Sequence, residues 1–199
     1  MMNSYGKYGV LGVLVLALLL GLLLVAGPAS ATGTCVGYGS FLGFLDLGAS
    51  TVVDGTEYIE DEVLYGKFSR VTGAEGWRIP DYLVLCLDAV VPPKGSHSHT
   101  GEVAMLREDP SSFWDASLSF EANLADHALL WTGTWDGMTR NGYNHQAQMT
   151  LVGVTGGVND GYKADVRWQS TVIFPANYRS GHFIITPATA VFSITPVTL

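Results

Sequence analysis

The segment AQMTLVGVTGGVNDGYKADVRWQSTVIF, residues 147–174, decides the fold class. Ala147, Met149 and Leu151 alternate with polar neighbours and lead into the turn-forming run Thr155-Gly156-Gly157-Val158-Asn159-Asp160-Gly161. The chain then returns with Tyr162, Ala164, Val166, Trp168, Ser170, Val172 and Phe174 on one side and Lys163, Asp165, Arg167 and Gln169 on the other. A period of two is the period of a β-strand, and two such runs joined by a glycine-rich turn read as a hairpin. One apolar and one polar face per strand is the pattern of antiparallel sheet.

Working outward, residues 116–124 show the same alternation, with Ala116, Leu118, Phe120, Ala122 and Leu124 set against Ser117, Ser119, Glu121 and Asn123. Residues 125–127 then turn the chain into Leu129, Trp131, Gly133 and Trp135, which predicts another hairpin. Residues 182–186 and 189–194 read as a last pair folded at Pro187. Residues 82–91 are nearly all apolar and read as a central strand buried on both faces. Further strands are expected at 41–47, 57–71 and 103–106, with a short helix as the alternative over 57–68. Strands and turns at this spacing predict an all-β domain, an antiparallel sandwich with jelly-roll-like connections, with a closed β-barrel as the alternative.

The N-terminus has a different character. Lys7 is followed by an unbroken apolar run over residues 10–26, a Gly27-Pro28 break and Ala29-Ser30-Ala31. Charge, apolar centre and small residues in A-x-A order are the parts of a secretory signal peptide, here 1–31, leaving 32–199 as one extracellular domain. Lys7-Tyr8-Gly9 before the apolar run also resembles the processing site of archaeal type IV pilin-like proteins. That resemblance implies a retained helix forming a filament core.

The full chain carries a formal net charge of −8, and losing Lys7 with the signal makes it one unit more negative. An acidic domain with no Lys/Arg run is unsuited to nucleic acid or anionic membrane. Two cysteines in an exported chain, Cys35 and Cys86, predict a disulfide. The loop it would close has about 50 residues, worth about 4 kcal/mol in the chain-entropy account.

For chemistry, the segment His97-Ser98-His99-Thr100-Gly101-Glu102 stands out. In an extended strand residues two apart point the same way, so His97 and His99 are placed to grip a divalent metal, with Glu102 adding an oxygen. This His-x-His followed by Glu resembles the first half of the cupin metal motif, although Glu102 comes one residue early and the expected following glycine is absent. No Gly-x-Ser-x-Gly elbow occurs, and His127 and His145 are isolated, so no catalytic constellation is expected. Trp131 and Trp135, about 13 Å apart along one strand face, read as core. Trp77 and Trp114, among polar and loop residues, read as exposed aromatics suited to sugar rings. The acidic group Glu57, Glu60, Asp61 and Glu62 reads as a solvated edge.

These features point first to a secreted structural or interaction protein, a surface, filament or matrix subunit whose strand-like tail 189–199 adds to a neighbour's sheet. Self-association or other extracellular proteins are the expected partners, and an enzyme is not the expected reading. A metal-binding protein using His97 and His99, and a carbohydrate-binding module, are the alternatives. Export with cleavage after Ala31 predicts that N-terminal sequencing of the protein recovered from the culture medium begins at Thr32. A start at Val10 in polymeric material would instead place the chain with the filament subunits.

Overall fold

Side-chain alternation carries into backbone pairing throughout the second half of the chain. The computed structural model describes residues 32–73, 80–140, 144–173 and 184–198, and residues 1–31, with the expected signal peptide, lie outside these. Nine strands, β1 (Gly33–Asp46), β2 (Ala49–Val53), β3 (Thr56–Gly73), β4 (Tyr82–Val91), β5 (His97–Leu106), β6 (Leu129–Arg140), β7 (Asn144–Gly153), β8 (Tyr162–Ile173) and β9 (Ile184–Pro196), form one antiparallel sheet. A single α-helix, α1 (Phe120–Leu124), lies between β5 and β6 among the described residues, after a 3-10 turn at Pro110–Ser112. The all-β class is therefore as the sequence predicts.

From β3 to β9 each strand pairs with its neighbours in the chain, and β1 pairs with both β9 and β3. The hydrogen bonding thus runs in a circuit. Paired residues can be followed from Ile59 through Ala89, His99, Gly137, Ala147, Trp168, Ala190 and Gly37 to Val71, twelve residues further along β3 than the start. Such a stagger is what tilted strands produce when a sheet returns on itself. Sequential pairing replaces the jelly-roll-like connections expected.

β2 continues the line of β1 along the first part of β3, after a break where Asp46 Oδ1 accepts from Gly48 N and Gly48 takes φ 62°. Asp54 and Gly55, both at positive φ, form the two-residue turn into β3, as an Asp-Gly pair favours. The helical alternative for 57–68 is thereby excluded. Between Ile59 and Glu62 the β3 register slips, with Asp61 at φ 55°, and the bulge moves the buried set from Glu57 and Ile59 to Glu62, Leu64 and Phe68.

Eight strands, all but β2, contribute to one core on the inner face. Its largest members meet edge to face, Phe68 with Trp168 at 6.3 Å and Trp135 with Trp168 at 5.9 Å between centroids. Contacts of this geometry add about 0.5–1.5 kcal/mol beyond the area they bury. A second cluster lies on the outer face, where Val63, Val84 and Leu106 are covered by Phe113, Trp114 and Phe120. That cover is why the first part of β4 is buried on both faces, as the sequence predicts.

Two sequence expectations of strand layout are overturned. Residues 116–124 are not a strand: Asp115 Oδ1 accepts from Ser117 N, Ser119 caps α1 through Ala122 N, and the Asn123 amide donates to Asp115 O while its carbonyl accepts from Asp115 N. Short polar side chains here bond their own backbone, which outcompetes a ladder. The expected last pair is one strand, β9, with a bulge opposite Thr171 that accommodates Pro187, a residue with no N–H to donate. Over Ala188–Ile194 both edges of β9 are bonded within the chain, by β8 and β1.

The disulfide is also absent, and the geometry forbids it. Cys35 pairs opposite Gly73 and Cys86 opposite Val63, ten residues apart on the same strand β3. Ten residues of strand span about 33 Å, whereas bridged Cα atoms lie within about 7 Å. Burial pushes the Cys35 thiol up to about 11 and, together with Asp61, Asp88, Glu102 and Glu121, the Cys86 thiol up to about 12. Thiol titration of the denatured, unreduced protein is expected to count two free thiols per chain. A count of zero would contradict the register.

Candidate ligand-binding site

Polar residues collect at the end of the inner face where β4 passes to β5 and β6 to β7. Successive strand pairings align His97 with Thr139, Thr139 with His145, and His145 with Ser170, one inward position on each of β5, β6, β7 and β8. His99 sits one inward position deeper, opposite Gly137. His99, Thr139 and His145 are buried to 1% exposure or less.

The hydrogen bonds order this cluster. His99 Nε2 lies 3.1 Å from Thr139 Oγ1, and His145 Nδ1 lies 3.0 Å from Ser170 Oγ. The Trp168 indole N–H donates to the same Ser170 oxygen at 3.0 Å. The Ser170 hydroxyl keeps a second acceptor site and its own hydrogen, so its bond to His145 Nδ1 fits either tautomer of the neutral ring. His145 stacks on Trp135 at 5.3 Å and tilts against His99 at 5.3 Å. Its Nε2 is buried, has no hydrogen-bond partner among the described residues, and lies 3.0 Å from where a Cβ on Gly137 would stand. A side chain at 137 would crowd that nitrogen.

Burial sets the protonation states. Desolvation, with the His145 and His97 rings adding to it, holds His99 down at about 3, and desolvation alone holds His145 at about 4. His97, less enclosed, is lowered by the same cause. On β3, desolvation and the neighbouring Glu57 raise Glu62 to about 8. At pH 6 the rings of His99 and His145 are neutral and Glu62 is protonated.

Two surface cavities meet at this rim. One of about 490 Å³ is lined by Arg140, Asn144, His145, Gln146, Gln169, Ser170 and Thr171. Another of about 540 Å³ runs over the outer faces of β6, β7 and β8 and shares Arg140, Gln146 and Gln169 with it. His145 and Ser170 are where the buried cluster reaches a cavity.

The structure brings some of the sequence-predicted residues together and separates others. His97 and His99 share the inner face, as their spacing predicts. Glu102, an odd number of residues further on, is exposed on the outer face beside Phe120 and Glu121, so the three do not form one ligand set. Among the described residues no group of three or more His, Cys, Asp or Glu is placed to hold a metal ion. Trp114 is half-buried against Phe120 in the outer cluster, not an exposed platform, and Trp77 lies outside the described residues. Trp131 and Trp135 are core, as expected. Of the acidic group only Glu60 and Asp61 are exposed, whereas Glu57 and Glu62 face inward because of the β3 bulge.

His145 and Ser170 were not singled out by sequence reasoning as site residues. The signal lay in extending the alternation of Ala147, Met149 and Leu151 back by two residues, which places His145 on the buried side. Compared with known proteins, the chain matches no protein family, no curated protein and no solved structure.

The buried groups give stability a defined pH dependence. His99 and His145 have folded-state values below the unfolded value of about 6.5, so the unfolded chain binds protons first as the pH falls. Their contribution is complete above about pH 6.5 and is lost on descent towards 4 and 3, on the order of 3 kcal/mol each. Glu62 acts in the opposite sense: its contribution is complete below about 4.5 and is lost as the pH rises to about 8. Denaturant midpoints are expected to peak at about pH 6–7, with Glu62→Gln flattening the alkaline limb and His145→Phe the acid limb. An alkaline limb unchanged in Glu62→Gln would contradict the placement of Glu62.

Proposed function

We propose that this chain is an exported binding protein that takes a polar ligand at the His145 end of a closed eight-stranded β-barrel. The circuit of pairings, its twelve-residue stagger and the single core shared by eight strands support the barrel over the sandwich. The mouth of a small barrel, whose interior is filled by side chains, is a common place for a ligand.

One observation carries the reading. The Nε2 of His145 is a buried polar atom with no hydrogen-bond partner among the described residues, on a ring held by Ser170 and by its stack on Trp135 in a side chain that lines the rim cavity. Leaving such a group without a partner costs about 1–3 kcal/mol, which a polar ligand group bonding it recovers on binding. Export and an extracellular interaction role rest on the N-terminal sequence pattern and the acidic charge. Self-association through the C-terminal strand is not part of this reading, because β9 is bonded on both sides.

A divalent metal at the same end is the second reading, favoured by the approach of His99 and His145 to 5.3 Å between centroids with His97 on the same face. Elemental analysis of protein purified without a histidine tag separates the two. Under the first reading, ligand-observed NMR against monosaccharides, including galacturonic acid, and small carboxylic acids gives hits for the wild-type protein. His145→Phe, which keeps the stack on Trp135, is expected to weaken them tenfold or more. Unchanged affinity in that variant would sink the proposal.

A further inference from the structure

The outer face of β6, β7 and β8 carries a second feature that shares an edge with the rim site. Its exposed positions form rows across the three strands: Asp136–Gln148–Arg167, then Met138–Gln146–Gln169, then Arg140–Asn144–Thr171. Amides therefore fill the middle of the face, with a guanidinium at each of two opposite corners. Arg140 and Arg167 are separated by four residues along the strands and two strands across, about 16 Å on the strand geometry. Among the described residues neither makes an ion pair. The cavity of about 540 Å³ follows this same face.

We propose that this face binds an extended acidic polysaccharide, with ring carboxylates taken by Arg140 and Arg167 and ring hydroxyls by the amides of Gln146, Gln148 and Gln169. The chemistry is specific at each point. A guanidinium holds a carboxylate through two parallel hydrogen bonds, which a point charge does not reproduce. A primary amide presents one acceptor and two donors, which suits neighbouring hydroxyls that each donate and accept. The 16 Å spacing selects a chain of several rings over a single sugar. The chain's net charge of −8 works against any polyanion, so the binding rests on the local guanidiniums of Arg140 and Arg167. The inference deepens the rim-site reading by giving the ligand a class, and it shares Arg140, Gln146 and Gln169 with that site. Arg167 lines only the outer cavity and His145 only the rim.

Isothermal titration of the intact protein with a hexamer of galacturonic acid, with its fully methyl-esterified form and with the monomer tests this. The acid hexamer is expected to bind at least tenfold more tightly than the ester, and more weakly as salt is raised. Arg140→Gln and Arg167→Gln are each expected to weaken it tenfold or more, with Arg70→Gln, on β3, leaving it unchanged. Equal affinity for acid and ester, no effect of Arg167→Gln, or equal binding of a polyglutamate of the same length would overturn the proposal. If the outer face fails and the rim reading holds, the monomer binds and is lost in His145→Phe alone. If the rim reading fails and the outer face holds, the hexamer binds and is insensitive to His145→Phe.

Discussion

The seam at β1 is the contact on which the rest of the structure depends. This one strand bonds β9 through Gly33–Gly39 and β3 through Cys35–Asp46, and without it the sheet would be open at both ends. It is rich in glycine where the closure is tightest. A Cβ on Gly37 would stand 2.9 Å from Cδ1 of Phe68, and one on Gly39 would stand 2.6 Å from the carbonyl oxygen of Lys67. Small residues thus let β1 lie against the inner aromatics and the β3 backbone together. Closure also uses up backbone donors and acceptors that an open sheet would expose as edges for aggregation.

Once the circuit closes, strand parity decides what every side chain does. Odd-numbered residues of β5, β6 and β7 face inward, which brings His97, Thr139 and His145 into one row and turns Glu102 and Gln146 outward. The β3 bulge resets parity in mid-strand and so sends Glu62 into the core beside Leu64. Burying two neutral histidines and a protonated carboxyl group is expensive compared with filling the same space with Leu or Phe. A core built for stability alone would be apolar at these positions, as it is at Leu83, Leu85, Met105 and Leu151. The concentration of these groups at one end is what the proposed ligand site rests on.

The legibility of the sequence follows the same logic. Residues 147–171 were readable because alternation there is unbroken and solvent covers the outer side, so hydrophobicity reports the fold directly. The helix α1 was misread because Leu118, Phe120, Ala122 and Leu124 also alternate, and only the side-chain bonds of Asp115, Ser119 and Asn123 distinguish a capped turn from a strand. The disulfide expectation counted cysteines without register, and register puts them about 33 Å apart along β3. Of the candidate site, the His97/His99 pair was visible because its spacing of two is shorter than any bulge. The contribution of His145 depended on which strand lies beside β6, and that is a long-range fact about the sheet.

At the rim the distinction between the two faces ends. His145 and Gln146 are consecutive, one facing the core and the other the outer groove, and both line the cavity there. Ser170 and Gln169 repeat this arrangement on β8. In mid-strand such neighbours are separated by the thickness of the sheet, but where strands terminate a single ligand can reach both. A ligand crossing the rim, as proposed, would meet a buried imidazole on one side and an amide on the other. The inner cluster is held by its hydrogen bonds and aromatic stacks before any ligand arrives, so little ordering entropy opposes binding there. The exposed arginines of the outer groove must be ordered on contact. On the proposed reading, His145 and the two guanidiniums both contribute to affinity, with the ordering cost falling on the guanidiniums.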